Sequence, residues 1–126
     1  RVQHDLFSDW DRRAGRLDLI VTAAAKQCGR GILPAVLKPE KLDDLLAGEG
    51  ASVFASADGQ PPDEAVKWLA GTAELKLFVG PEGGFTKGEL EFASSKGAAF
   101  MNLGLYTLRA ETACLAAASA LLTRLG

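Results

Sequence analysis

The sequence predicts an α/β domain, a mostly parallel sheet with flanking helices, and three observations carry that prediction. Short apolar runs at 52–56, 75–79 and 98–103 alternate with stretches of helical period, the order expected when each strand returns to the sheet through a helix. The run Leu-Lys-Leu-Phe-Val at 75–79 is almost continuously apolar, the pattern of a strand covered on both faces in a parallel sheet. The chain has 126 residues, 48% of them hydrophobic, which suits one domain around a single core.

Residues 1–7 carry little pattern. Ser8 and Asp11 then form an S-x-x-D start signal, after which Leu17, Ile20, Val21, Ala24 and Cys28 share one face of a long helix that Gly29 ends. Arg12, Arg13, Arg16 and Lys26 occupy its other sides, where a solvated face is favoured over a phosphate contact. Residues 33–37 are short and apolar with Pro34 near the start, a place where a strand tolerates proline, so a strand is expected there. Pro39 opens a brief helix with Leu42, Leu45 and Leu46 inward and Gly48 after its end. A strand over 52–56 leads to a turn at Asp58-Gly59.

Pro61 and Pro62 do not start a linker, because a helical signal resumes at once over 63–69 with acidic residues in its first turn. The strand at 75–79 runs straight into the glycine loop GPEGGF. Thr86 and Glu89 make a T-x-x-E capping box, so the loop is pinned to a helix that runs to about Lys96 and stops at Gly97. A strand at 98–103, a loop at 104–108 and a last helix over 109–125 complete the chain. That helix carries no charge between Glu111 and Arg124. A helix apolar nearly all round needs cover on more than one side, and the simplest cover is a second copy of the chain.

Ligands of open parallel sheets bind beyond the carboxyl ends of the strands, which nominates the loops at 55–59, 80–85 and 104–108. GPEGGFTK lacks the G-x-x-x-x-G-K-[ST] spacing of a phosphate loop, and no strand is followed by G-x-G-x-x-G. No G-x-S-x-G elbow is present. Gly80, Gly83 and Gly84 instead leave main-chain groups open to close approach, which suits a flat polar ligand. A tight strand-to-helix turn without a ligand fits the same residues.

Fourteen Lys and Arg against sixteen Asp and Glu give a net charge of -2, so the whole chain is not a basic body that grips nucleic acid through phosphates alone. Any such contact is local or supplied by another part. Cys28 and Cys114 are far apart with no CxxC spacing, and are expected as buried small apolar residues. His4 is the only histidine, which argues against a histidine triad or a zinc site. No apolar run reaches the ~20 residues that cross a bilayer, so the chain reads as soluble; a chain without metal is expected, cytoplasmic with an organelle as the alternative.

GPEGGFTKGEL followed by LGLYTLRAETA resembles the paired motifs of the RsmE-type ribosomal RNA methyltransferases of the SPOUT superfamily, whose pattern reads GPEGGFS-x-x-E and then LG-x-R-I-L-R-x-E-T-A. A third segment, AAAKQCGRGILPAV, is similar to that family's upstream motif through Ala24, Gln27, Cys28, Gly29, Arg30, Pro34 and Val36. The resemblance spans nearly all of the chain. It implies a C-terminal segment threaded into a deep trefoil knot, S-adenosyl-L-methionine bound in that knot, and methylation of N3 of a uridine in small-subunit ribosomal RNA. A homodimer built on the last helix is also implied.

By the same resemblance Gly80, Pro81, Glu82, Gly83 and Gly84 form one wall of the cofactor site, Leu103, Gly104, Leu105 and Leu108 another, and the strand end Ala55-Ser56 a third. Arg109 is implied to hold the target uridine or its phosphate. Glu111 is expected to pair with Arg109 and favour the helix start rather than act as a base, and Glu82 to brace the loop. Tyr106-Thr107 stands where the family has Arg-Ile, which removes one arginine expected near cofactor or substrate. The family also carries an N-terminal PUA-like RNA-binding domain and opening strands of the methyltransferase domain, so residues 1–126 are expected to represent its C-terminal portion. The competing expectations are a non-catalytic dimerisation or RNA-binding module on the same fold, and an enzyme acting on a different RNA.

Overall fold

The computed structural model describes residues 9–69 and 71–125. Two compact units make up the chain, Arg1–Lys41 and Leu42–Gly126.

The first unit holds helix α1, Trp10–Gln27. Its N-cap is Asp9, whose carboxylate accepts no capping bond and pairs instead with Arg12 at 2.7 Å and Arg13 at 4.0 Å. Both pairs are exposed and contribute at most about 1 kcal/mol. The expected start signal at Ser8 lies outside the described residues. At the other end Arg30 N–H donates to Ala25 O and Gly29 N–H to Lys26 O, a Schellman closure with Gly29 at φ 70°.

The inward stripe of α1 differs from the expected one. Ala14, Leu17, Val21 and Ala25 are shielded, whereas Ile20, Ala24 and Cys28 are exposed. Leu17 and Val21 belong to two overlapping stripes, and residues alone do not say which is turned inward. The strand expected at 33–37 is absent: the segment is irregular, with Leu33 and Leu37 exposed. A strand exists only with a partner, Pro34 withholds a donor, and among the described residues the sheet draws on other strands.

The second unit is a sheet with helices on both faces. Its elements are α2 (Leu42–Ala47), β1 (Ala51–Gln60), α3 (Pro62–Lys67), β2 (Leu75–Val79), α4 (Lys87–Ser95), β3 (Ala99–Met101) and α5 (Ala110–Leu125). The strands are parallel in the order β2-β1-β3. The chain thus steps from β1 to one side, then back across to the other. Right-handed crossovers in opposite directions place their helices on opposite faces, and packing follows that rule. On one face Val53 and Met101 pack with Ala65 and Leu69 of the α3 segment and Ala117 and Leu121 of α5. On the other, Phe54 packs with Leu46 of α2 and Ala93 of α4.

Period-two alternation explains why adjacent residues serve separate cores. Phe54 is in register with Phe78 and Phe100, and its ring lies 4.6 Å from Phe78, 5.8 Å from Phe100 and 4.9 Å, edge-on, from Phe85. Each such aromatic pair adds about 1 kcal/mol beyond area burial. The centre of the sheet is therefore β1. β2, expected to be covered on both faces, is an edge strand and half-buried along its whole length.

Pro39 precedes α2 by three residues rather than opening it, and Leu45 sits at the surface while Leu42 and Leu46 point inward. The Lys76 ammonium closes the end of α2 by donating to Leu45 O at 2.8 Å. The capping box of α4 is present as expected, and Gly97 ends the helix at φ 78°. The turn expected at Asp58-Gly59 takes a different form. β1 continues to Gln60, but Ala55 and Gln60 both pair with Met101, so residues 56–59 are pushed out of the ladder. Gly59 makes this possible, because a Cβ there would lie 2.6 Å from the backbone of Met101.

On α5, Ala113, Ala117 and Leu121 are buried at four-residue spacing, and Arg124 pairs with Asp63 of α3. Cys114, Leu115 and Leu122 are exposed. Both cysteines, expected inside, thus lie at the surface. Cys114 follows a buried alanine and is rotated by one helical step off the inward face.

Candidate cofactor and RNA site

A cleft of about 330 Å³ opens beyond the carboxyl ends of the three strands, within the ~300–1,000 Å³ range of small-molecule sites. The extruded stretch within β1 forms one side through Ala55, Ser56, Ala57 and Asp58. The loop after β2 contributes Gly80, Pro81, Glu82, Gly84 and Phe85. Leu103, Gly104, Leu105, Tyr106, Thr107 and Leu108, after β3, close the third side, with Ala110 and Ala113 of α5 behind them. Three loops far apart in sequence meet because their strands are parallel neighbours.

Each loop is held locally. In the second, Gly84 N–H donates to Pro81 O at 2.8 Å, and Gly84 takes φ 68°, a conformation that costs an L side chain about 1–2 kcal/mol. Phe85 then inserts against Phe54, which fastens the glycine loop to the core under the sheet. The Thr86-Glu89 box fixes its other end: Glu89 N–H donates to Thr86 Oγ1 at 3.3 Å and Thr86 N–H to Glu89 Oε2 at 2.6 Å. The third loop is tied by Asn102. Its Oδ1 accepts from Gly104 N–H at 2.6 Å, its amide donates to Ala57 O, and its own backbone N–H donates to Gln60 O at 2.8 Å. One side chain thus couples the extruded part of β1 to the loop after β3.

Of the residues expected to contact a cofactor, Ala55, Gly80, Pro81, Glu82, Gly84, Leu103, Gly104, Leu105 and Leu108 line the cleft, and Gly83 does not. Arg109 also stays outside the lining; it is exposed at the start of α5, where its carbonyl accepts from Ala113 N–H at 2.8 Å. Glu111 sits in the first turn of α5, but no ion pair joins it to Arg109 among the described residues. Positions i and i+2 on a helix point in different directions. Glu82 is exposed and braces nothing among the described residues; the turn bond to Pro81 O and the Phe85 ring hold that loop instead.

Sequence reasoning missed Asn102; Asp58 and Phe85 fall inside the nominated loops at 55–59 and 80–85, though neither was singled out. The spacing of Asn102 and Gly104 is an Asx-turn signal, while nothing in sequence links Asn102 to Ala57. The charged side chains lining the cleft are Asp58 and Glu82, both acidic. A larger hollow of about 540 Å³ beside Trp68 touches neither the glycine loop nor the loop after β3. Among the described residues no cluster of histidine, cysteine and carboxylate side chains is placed to hold a metal ion, and no helix is long and apolar enough to cross a membrane.

The model of the RNA methyltransferase domain family matches residues 1–122. A ribosomal RNA small subunit methyltransferase E from Aquifex aeolicus is 36% identical over 105 residues, covering 82% of this chain and 44% of that protein. Its counterpart from Rickettsia conorii is 31% identical over 106 residues, covering 81% and 43%. Among solved structures, the ribosomal RNA small subunit methyltransferase E of Neisseria gonorrhoeae, bound to S-adenosyl methionine, superimposes with a TM-score of 0.75 at 26% identity, covering 91% of this chain and 48% of that one. A Legionella pneumophila protein described as a methyltransferase, Lpg2936, in complex with SAM, shares the fold with a TM-score of 0.80 at 24% identity, covering 98% and 50%. The chain spans about half the length of the relatives it matches. Its paired GPEGGF and LRAETA motifs, the parallel sheet that brings them to one cleft, and these matches together show that the chain belongs to the RsmE-type family of RNA methyltransferase domains.

Proposed function

We propose that the chain is the cofactor-binding portion of an S-adenosyl-L-methionine-dependent methyltransferase that modifies N3 of a uridine in small-subunit ribosomal RNA. The observation that carries this reading is the cleft, because it unites the two family motifs on one concave surface with main-chain groups at its wall. The lining also suits the cofactor chemically. At Gly80 a Cβ would come to 3.3 Å from Gly84 and Phe85, a tight contact, so the loop closes on itself there around a bare backbone position. Leu90, Leu103 and Leu108 offer apolar contact to an adenosine, and Asp58 and Glu82 offer negative charge to a cationic ligand.

Ala55, Gly80, Pro81, Glu82, Gly84, Leu103, Gly104, Leu105 and Leu108 would hold the cofactor, with Gly83 shaping the turn beside it. When bound, S-adenosylmethionine supplies an electrophilic methyl group on a sulfonium. The chain's contribution is chiefly to hold the acceptor nitrogen in line with that methyl group. N3 of uracil must lose its proton, which passes to water, as the new bond to the methyl carbon forms and the methyl–sulfur bond breaks. Arg109, between the cleft-lining Leu108 and Ala110 and free of salt bridges among the described residues, is assigned to the uridine or its phosphate, where its charge stabilises the electron-rich ring. Glu111 favours the start of α5 through the helix dipole.

The reading extends to the whole molecule. The C-terminal segment, from the loop after β3 through α5, forms the trefoil knot; the exposed apolar side of α5 pairs with a second copy; and an additional RNA-binding part accompanies residues 1–126 in the complete, cytoplasmic protein. The relatives' greater length and the near-neutral charge of this chain support the last point.

Calorimetric titration with S-adenosylmethionine tests the reading. Saturable binding is expected, weakened at least about tenfold in Leu105→Asp. Leu105 lines the cleft and is 97% exposed, so the melting temperature should not change. A folded chain that binds neither S-adenosylmethionine nor its demethylated product would favour the non-catalytic module.

A further inference from the structure

We infer that Tyr106 is the platform on which the base of the acceptor nucleotide stacks, a role that rests on the proposed function and names how the site takes its RNA. Tyr106 lines the cleft yet is 84% exposed, and its hydroxyl has no partner among the described residues. Leu105 beside it is 97% exposed. These two adjacent large side chains form an exposed contact surface in the lining of a concave site.

The geometry selects an RNA base as the occupant. An acceptor atom must reach the cofactor's methyl group, so the acceptor base has to enter the cleft, and Tyr106 is an exposed aromatic ring in its lining. RNA is read chiefly through unpaired bases splayed onto aromatic rings, and each stacked base contributes strongly to binding. The loop is suited to present a ring in fixed position. Asn102 clamps its base through Gly104 N–H at 2.6 Å and through Ala57 O, so the tip is carried on an ordered stem while its ring faces solvent. Tyr106 also occupies the place where the RsmE pattern has arginine. A planar, uncharged ring there offers a stacking surface where the pattern has a cation. The remaining cation next to the site, Arg109, is three positions on and stays available for the backbone.

The test uses the chain saturated with S-adenosylhomocysteine and a fluorescein-labelled single-stranded RNA with one central uridine among abasic sites, followed by anisotropy. Tyr106→Ala is expected to weaken RNA binding about tenfold and Tyr106→Phe less than twofold, with calorimetric affinity for S-adenosylmethionine unchanged in both. Replacing the uridine by a further abasic site should weaken the unmodified chain by the same factor and leave Tyr106→Ala unaffected. A tenfold loss of S-adenosylmethionine affinity in Tyr106→Ala with unchanged RNA binding would assign the ring to the cofactor's adenine and overturn the inference. So would equal RNA affinity of all three proteins, or no RNA binding by the unmodified chain. Failure of the parent reading is seen separately, as absence of S-adenosylmethionine binding in the unmodified chain.

Discussion

Gly59 shows how a single position can shape a site it barely touches. The missing Cβ lets β1 press against Met101 while residues 56–59 swing out to form a side of the cleft. Gly59→Ala forces a Cβ to 2.6 Å from backbone atoms that cannot yield like a flexible side chain, and is expected to cost about 3 kcal/mol. Gly83 has nothing within 4 Å of its would-be Cβ, so Gly83→Ala should stay within about 0.5 kcal/mol of the parent chain. Urea unfolding of the two variants decides it, and equal midpoints would refute the close-packing account. Both residues read alike in sequence, as glycines in turn-rich stretches. What separates them is the distance to a strand more than forty residues away in the chain, a quantity that composition does not contain. The same holds for Asn102, whose tie to Ala57 is a tertiary hydrogen bond.

At the scale of the element, helix ends were the most legible features, because a cap uses neighbours within a few residues. Thr86, Glu89 and Gly97 each sit where the local signal puts them. Thr86→Ala removes the acceptor for Glu89 N–H and half of the box, and should lower stability by about 1 kcal/mol, measured by denaturant midpoint. Because that helix start carries the glycine loop, cofactor affinity should fall with it; an unchanged midpoint would mean the cap is carried by other contacts. Elements that depend on distant partners were less legible. Residues 33–37 have strand composition but no ladder, and β2 has the composition of a central strand but lies at an edge. The true centre, β1, looks less apolar because its extruded residues 56–59 serve the cleft.

For the whole molecule, α5 carries two different apolar surfaces, and substitutions should separate them. Leu121 is buried against the sheet, so Leu121→Ala is expected to cost about 3 kcal/mol and lower the melting temperature by several degrees. Leu115 and Leu122 are 75% and 72% exposed, and the double variant Leu115→Glu, Leu122→Glu should keep its fold. Sedimentation velocity should find the parent chain dimeric and that variant monomeric. A parent chain that stays monomeric at tens of micromolar would remove α5 as a self-association surface.

Chain order, the limits of α4 and α5, the capping box and the two motif loops were legible in the sequence alone, since each depends on dihedral preference and hydrogen bonding between residues close in the chain. The tertiary structure decided which stripe of α1 turns inward, which strand is central, that Asp58 and Tyr106 share a cleft with the glycine loop while Arg109 and Gly83 stay outside its lining, and that Asn102 ties two of its loops together. Those outcomes follow from parallel pairing and two-sided packing, which bring together residues that no local pattern relates. Parallel pairing adds one further consequence: all three carboxyl ends open on the same side, and the cleft forms there.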